Sequence, residues 1–303
     1  MFEKYSFTSI QRELQSNHNL LPVIGVELEF YLLDARTRRP RILTDRELIS
    51  FTGIMTRYLK LESVHHFSAE TAILCPPIQT EKGRGQYEIC TPPIPNLENL
   101  TTIINVYIKV ILFAARRMEA IYADFGPKPI IDDYGSGAHY HISLHDFYTK
   151  KNAFADNSWD KNNLLKHSIA GILHYLQRSF HWLCGENESE YTRFKPGFMA
   201  PMNASWGLNN RSTAVRVLNF NPENRRIEFR APSGNIDASK VIFFLLASIE
   251  RGIAERLEPP AQVYGNASDD AYHTDPKFHF GAFPSSVLEA RNRHDISWFP
   301  KFE

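Results

Sequence analysis

Three hundred and three residues exceed what one hydrophobic core requires and suit one large domain or two modest ones. A composition 43% hydrophobic and 22% charged is that of an ordinary soluble globular chain, which excludes a disordered or fibrous protein. Thirty-four Lys and Arg balance thirty-four Asp and Glu, so no basic excess draws nucleic acid or an anionic membrane, and neither is an expected partner.

Residues 1–22 read as an N-terminal extension; they mix charges throughout and contain no apolar signal region. Residues 23–33 (VIGVELEFYLL) read as a buried strand, with Asp34 opening the following turn. Thr44 or Asp45 is placed to cap a helix running to about residue 60, and a short strand is expected over 61–67. Pro76, Pro77, Gly83 and Gly85 mark 72–85 as a loop, before a strand over 86–90 (QYEIC) that Pro92 and Pro93 stop. A long helical pattern follows Asn96 to about residue 124. Its most apolar part, 103–115, is interrupted by Lys109 and reads as a buried helix rather than a membrane span. Residues 138–144 (AHYHISL) alternate like a strand, 152–163 read as a polar loop, and 164–183 as a helix. Strands are expected over 204–208, 213–218 and 225–231, then a helix over 238–257 capped by Asn235 or Asp237. Strand pairs separated by helices, with hairpin-like strands late in the chain, make a mixed α+β sheet. Cys75, Cys90 and Cys184 are odd in number and lack metal spacing, which fits a reducing cytoplasm.

The chemistry is concentrated in those strands. Glu27 and Glu29 are two apart in an otherwise apolar strand, so both leave one face, roughly 7 Å apart. Two such carboxylates repel unless something positive lies between them; a solvated, inert face is the alternative. His139 and His141 repeat the arrangement just after Gly135-Ser136-Gly137, where the glycines allow close approach of a ligand. Taken alone, such a histidine pair is more often a core or surface feature than a site. Arg226, Glu228 and Arg230 alternate in RRIEFR, as either a salt-bridge ladder or a metal-ligating carboxylate flanked by phosphate-binding guanidinia. Arg211 and Arg216 add to this stretch, and Glu81 and Glu88 flank the loop in EKGRGQYE. Hard oxygen donors with an imidazole suit Mg²⁺ or Mn²⁺, and clustered arginines beside such ions describe phosphoryl transfer. No GxxxxGK[ST] run is present, which excludes a P-loop.

Taken in order, VELEF, EKGRGQYE, PKP at Lys128, GSGAHYHISL, RFKPG at Arg193, NRS and RRIEFR resemble the catalytic domain of the glutamine synthetase family from about Val23 to about Ile249. The resemblance implies an α+β fold with a curved, mostly antiparallel sheet and flanking helices, occupying 23–303. It also implies two metal ions, one held by Glu29, Glu81 and Glu88 and the other by Glu27, His139 and Glu228. Gly137 lies by the substrate in that scheme, with Arg193 and Arg230 meeting the substrate carboxylate. Arg211, Arg216 and Arg226 face the ATP phosphates, His141 and Ser143 the nucleotide, and Arg211 and Arg230 act in catalysis. The implied chemistry activates a γ-carboxylate, of glutamate or a relative, as an acyl phosphate that an amine attacks.

Three departures shape the expectation. The family's N-terminal β-grasp domain is expected to be absent, since only residues 1–22 precede the first metal strand. Met199 stands where the family carries a flap glutamate before Ala-Pro, and Met199 cannot accept a proton. The tail after the last helix is short. These changes fall on amine handling and assembly while the metal and phosphate residues stay. The expected activity is therefore an ATP- and Mg²⁺- or Mn²⁺-dependent carboxylate–amine ligase with an acceptor other than ammonium. The expected assembly is a monomer or small homo-oligomer, unless a separate subunit supplies the missing domain. A nucleotide-binding protein without turnover, or a phosphotransferase on the same scaffold, are the alternatives.

Overall fold

The computed structural model describes residues 7–66, 75–155 and 158–300, with the side chains of 63–66 left aside. Among these, eight strands form one open sheet: β1 (Leu20–Asp34), β2 (Gln79–Thr80), β3 (Gln86–Cys90), β4 (Ile121–Asp124), β5 (Ala138–Asp146), β6 (Trp206–Leu208), β7 (Val215–Leu218) and β8 (Arg226–Phe229). Their order is β2-β3-β1-β5-β8-β7-β6, with β4 joining the far end of β1. Every pairing is antiparallel except β6 with β7, so the sheet is mixed and mostly antiparallel. Seven α-helices accompany it: α1 (Phe7–His18), α2 (Asp45–His66), α3 (Leu97–Arg117), α4 (Asn163–Cys184), α5 (Ala238–Ala254), α6 (Asp270–His273) and α7 (Val287–Asn292).

The period-2 alternation of the strands separates two chemistries. Val26, Leu28 and Phe30 of β1 point to one face, where they meet Tyr140 of β5 and Ile89 and Tyr87 of β3 across the ladders. Ile142, Ile227, Phe229, Val215 and Val217 continue that face, and all of these side chains are buried. Helices α1 and α3 pack on β1, and Phe244 of α5 meets Phe229 at 5.6 Å between ring centres. Each fully buried Leu, Ile or Phe there contributes about 1.5–3 kcal/mol. The opposite face carries Glu27, Glu29, Glu88, His139, His141, Glu228 and Arg216.

Helix starts follow local chemistry. Thr44 and Glu47 form a capping box at α2: the Thr44 N–H donates to Glu47 Oε2 at 2.8 Å, and the Glu47 N–H donates to Thr44 Oγ1 at 3.4 Å. Asn96, Asn162 and Asp237 accept from backbone N–H groups at the starts of α3, α4 and α5. Helices α4 and α5 cross at Gly171 and Gly252. A Cβ on Gly171 would overlap Ser248 O, and one on Gly252 would overlap His167 O, so only glycine permits this approach.

Three expected elements are corrected. Residues 61–66 continue α2 instead of forming a strand, with the remainder of that expected strand, and residues 72–74 of the expected loop, outside the described residues. The helix after Asn96 ends at Arg117, and 121–124 form β4; the turn between them places Ala120 at φ +55°. The loop expected over 152–163 contains two short 3₁₀ turns, at Ala153–Ala155 and Trp159–Lys161, and its last residue already begins α4. By length and composition α3 does reach what a membrane span needs, contrary to the reading of its apolar part alone. Here it is a core helix, with Leu100, Val110 and Ile111 fully buried.

Candidate active site

The polar face of the sheet gathers residues far apart in sequence. Register sets Glu27 opposite His139, Glu29 opposite Glu88, and His141 opposite Glu228, which in turn lies opposite Arg216. Three groups present ligand atoms within 4.8 Å of one another: Glu29, Glu81 and Glu88; Glu27, Glu88 and His139; and Glu27, His141 and Glu228. The first is the trio expected for one ion. For the second ion, His139 lies near both expected partners, with Nδ1 3.5 Å from Glu27 and 3.7 Å from Glu228. His141 enters as well: its Nε2 is 2.9 Å from Glu27 Oε1, a metal-ligand position the sequence reading did not give it.

The electrostatics differ across the face. Burial pushes the Glu88 carboxyl up to about 8, reinforced by the charges of Glu27, Glu81 and Glu29. Glu81 is raised for the same reasons, burial first and then Glu29. Such crowding is what a bound cation relieves, and the donors are oxygens with an imidazole, so the residues fit Mg²⁺ or Mn²⁺. Glu27 differs: burial opposes its ionisation, yet the imidazoles of His139 and His141 outweigh burial and hold it well below the usual carboxylate range.

Glu228 has no solvent exposure, and both its oxygens are engaged. Arg216 Nη1 donates to Oε2 at 2.8 Å, and Arg230 Nη1 donates to Oε1. Burial raises the Glu228 pKa, but Arg230, His139, His141 and Arg216 pull it down to about 2. This carboxylate therefore pairs with two arginines and also belongs to the Glu27, His141 and Glu228 group whose ligand atoms lie within 4.8 Å.

The other expected residues fall around two cavities. A narrow polar one, with about 40 Å³ of free space, is lined among others by Glu81, Arg193, Met199, Arg211 and Arg230. That is room for ions or water. Gly197 and Met199 have φ of +84° and +58°. Arg193 is 3% exposed, and its Nη1 donates to Ala231 O and Pro232 O at 2.6 and 2.7 Å, so part of this guanidinium holds the segment that follows β8. The Gly137 N–H donates to Glu29 Oε2 at 2.6 Å, and a Cβ there would overlap His139 Nε2. Gln86 Nε2 donates to the same Glu29 oxygen at 3.3 Å.

A second cavity, of about 440 Å³, adjoins the first at Glu27 and is lined by His141, Ser143 and Arg226. Arg226 Nε donates to His141 Nδ1 at 3.1 Å, and Ser143 Oγ lies 3.0 Å from His145 Nε2. Arg216 lines neither cavity and stands behind Glu228. Sequence reasoning missed Gln86 and Tyr134 on the polar cavity and Thr91, Pro93 and Asn152 on the larger one. Only Gln86, which shares the period-2 face of Glu88, carried a sequence signal.

The family model for the glutamine synthetase catalytic domain matches residues 9–296. The chain belongs to the glutamine synthetase family. It is 27% identical over 270 residues to γ-glutamylputrescine synthetase PuuA of Escherichia coli (strain K12), a match covering 82% of this chain and 54% of that protein. It is 31% identical over 234 residues to glutamine synthetase of Thermococcus kodakarensis, covering 77% of this chain and 48% of that one. A solved structure titled "GmaS/ADP complex-Conformation 1" shares the fold, with a TM-score of 0.74 at 17% identity over 95% of this chain and 66% of that one. The chain thus spans about half the length of the curated glutamine synthetase relatives it matches.

Proposed function

We propose that this chain acts as an ATP- and divalent-metal-dependent carboxylate–amine ligase of the γ-glutamyl-amide type, with an acceptor other than ammonium. One observation carries the reading: three metal-capable groups and a set of arginines share one sheet face, between a polar cavity and a cavity of about 440 Å³. One relative bears the name of a ligase for a larger amine, which supports the choice of acceptor.

Glu29, Glu81 and Glu88 would hold one ion, and Glu27 and Glu228 with His139 or His141 the other. When bound, the ions neutralise phosphate charge on the transferring group. The larger cavity takes the nucleotide, with Ser143, His141 and Arg226 on its wall. Arg211 and Arg230 face the polar cavity and stabilise charge on the phosphoryl oxygens and the substrate carboxylate. A γ-carboxylate oxygen attacks the γ-phosphorus of ATP, giving an acyl phosphate and ADP. The amine then attacks the acyl carbon and phosphate leaves. Soluble small molecules are the partners in this scheme, and a cytoplasmic location suits it.

The test is ADP release from ATP with Mg²⁺ or Mn²⁺, glutamate and a panel of amines, with Glu88→Gln as comparison. Glutamate-dependent release increased by an amine, together with an amide product, supports the ligase. Release without amide makes the protein a phosphotransferase. ATP binding without any release makes it a binding protein.

A further inference from the structure

Arg193 borders the polar cavity, and the strap 230–233 that follows β8 holds its guanidinium. Besides the two bonds from Nη1 to Ala231 O and Pro232 O, Nη2 donates to Arg230 O at 3.4 Å. These acceptors are neutral carbonyls, so the buried charge of Arg193 still needs a counter-charge. Among the described residues, the carboxylates whose charges favour the ionised guanidinium are Glu29 first and then Glu190. Glu29 belongs to a metal-capable trio, where a bound ion takes up its charge. That leaves Glu190.

Glu190 sits in the 3₁₀ turn Glu188–Tyr191, which Asn187 caps through the Ser189 N–H. It lines neither cavity of the active site but an outer one of about 550 Å³, between the end of α4 and the start of α5. The residue is 3% exposed. Ser233 Oγ donates to Glu190 Oε2 at 2.6 Å, the length of a hydroxyl bond to an ionised carboxylate. The strap is therefore held twice, at Ser233 by Glu190 and at its carbonyls by Arg193. Pro232 O also accepts from the Ala138 N–H at 2.9 Å, which ties the strap to the residue after Gly137. Arg230, at the start of the strap, lines the polar cavity.

Resting on the ligase reading above, we infer that Glu190 is a positioning residue for the carboxylate substrate. As counter-charge to Arg193 and acceptor of Ser233, it fixes the strap from which Arg230 reaches the site. Glu190 itself touches no reacting atom. Without its charge, Arg193 is drawn towards the carboxylates of the polar cavity, the strap carbonyls lose their donor, and Arg230 turns from the substrate. Glutamate has a carboxylate that does not react, and a grip on it serves ground and transition states alike. Loss of that grip moves KM and spares kcat. The larger cavity is lined by neither Arg193 nor the strap, so the nucleotide is unaffected.

The experiment measures glutamate-dependent ADP release with Mn²⁺ and whichever amine of the panel above gives most release. In Glu190→Gln, which still accepts from Ser233, KM for glutamate is expected to rise about tenfold, with kcat and KM for ATP within about twofold of native. Glu190→Asp keeps the charge and is expected to stay within about threefold of the native KM for glutamate. An unchanged glutamate KM in Glu190→Gln, with folding checked by thermal melting, overturns the inference and leaves the ligase reading standing. So does a fall in kcat with both KM values unchanged, the mark of a smaller active fraction, or a Glu190→Asp as impaired as Glu190→Gln. If Glu190→Gln does not fold, Ser233→Ala decides: it is expected to raise KM for glutamate about threefold, and an unchanged value overturns the inference. No glutamate-dependent release by the native chain overturns the ligase reading and this inference together.

Discussion

Glu29 and Glu88 stand directly opposite each other across the β1–β3 ladder, and Glu81 completes a trio of carboxylates with ligand atoms within 4.8 Å. The strand register forces this meeting. Its electrostatic cost falls on the fold unless a cation occupies the space.

Stability is therefore expected to depend on pH in an unusual direction. Burial first, then the charges of Glu27, Glu81 and Glu29, raise Glu88 from the ordinary 4.5 to about 8. Between those values the unfolded chain has released the proton that the fold retains, so this group's contribution to stability falls as pH rises through the window. At pH 8 the loss is on the order of a few kcal/mol. Thermal melts in EDTA should give a lower Tm at pH 8 than at pH 5, and Mn²⁺ should restore it. A metal at a hundred times its Kd adds about 2.7 kcal/mol. An EDTA Tm that does not fall from pH 5 to pH 8 would remove Glu88 from this account.

Glu88→Gln should separate repulsion from ligation. The variant keeps the shape and removes one charge, so the metal-free protein should melt higher than the native chain at pH 8. The increase in Tm on adding Mn²⁺ should shrink. Paired melts of the two proteins check both halves, and an undiminished Mn²⁺ response would place the ion elsewhere.

Glu228→Gln is expected to be costly for a different reason. Arg216 and Arg230 converge on this fully buried carboxylate, and neutralising it leaves two guanidinia without their counter-charge. Breaking a buried pair in this way costs about 3–5 kcal/mol. Urea unfolding should show the midpoint falling sharply, whereas Glu27→Gln, at a site 29% exposed, should cost less. Equal losses would mean that the arginines find other partners.

Two glycines should respond in opposite directions to the same change. Gly252→Ala pushes a methyl into His167 O at the α4–α5 crossing, and overpacking of this kind costs about 1–3 kcal/mol. Gly53 lies in α2 with nothing within 4 Å of an added Cβ, so Gly53→Ala should stabilise by about 0.5–1 kcal/mol. Chemical denaturation of both variants gives the comparison.

The strands that carry charge were the most legible part of the sequence. A carboxylate, imidazole or guanidinium at every second position of an apolar run, as in VELEF, AHYHISL and RRIEFR, marks both the strand and the face that holds the site. Less legible was the end of α3, because no glycine or proline stops it and β4 follows after a turn at Ala120. Residues 61–66 (LESVHH) have only Leu61 and Val64 as apolar side chains, three apart, and the preceding turns of α2 carry the helix through them. The full lining of the larger cavity was out of reach, since Thr91 and Pro93, Asn152, and Arg226 come from three separate segments. Which imidazole stands beside Glu27 depends on side-chain direction across a ladder, and both His139 and His141 share the face.

The long β1 has a consequence for how the molecule comes into being. Glu27 and Glu29 leave the ribosome about 200 residues before Glu228 of β8. At 5–20 residues per second that is an interval of about 10–40 s. β1 has its ladder partners β3, β4 and β5 once Asp146 is made, but β5 waits for β8 on its far edge, and Glu228 joins the polar face last. The nascent chain must keep an apolar strand face and a pair of like charges tolerable for that long, and this is where a holding factor or an early cation would have most effect on yield.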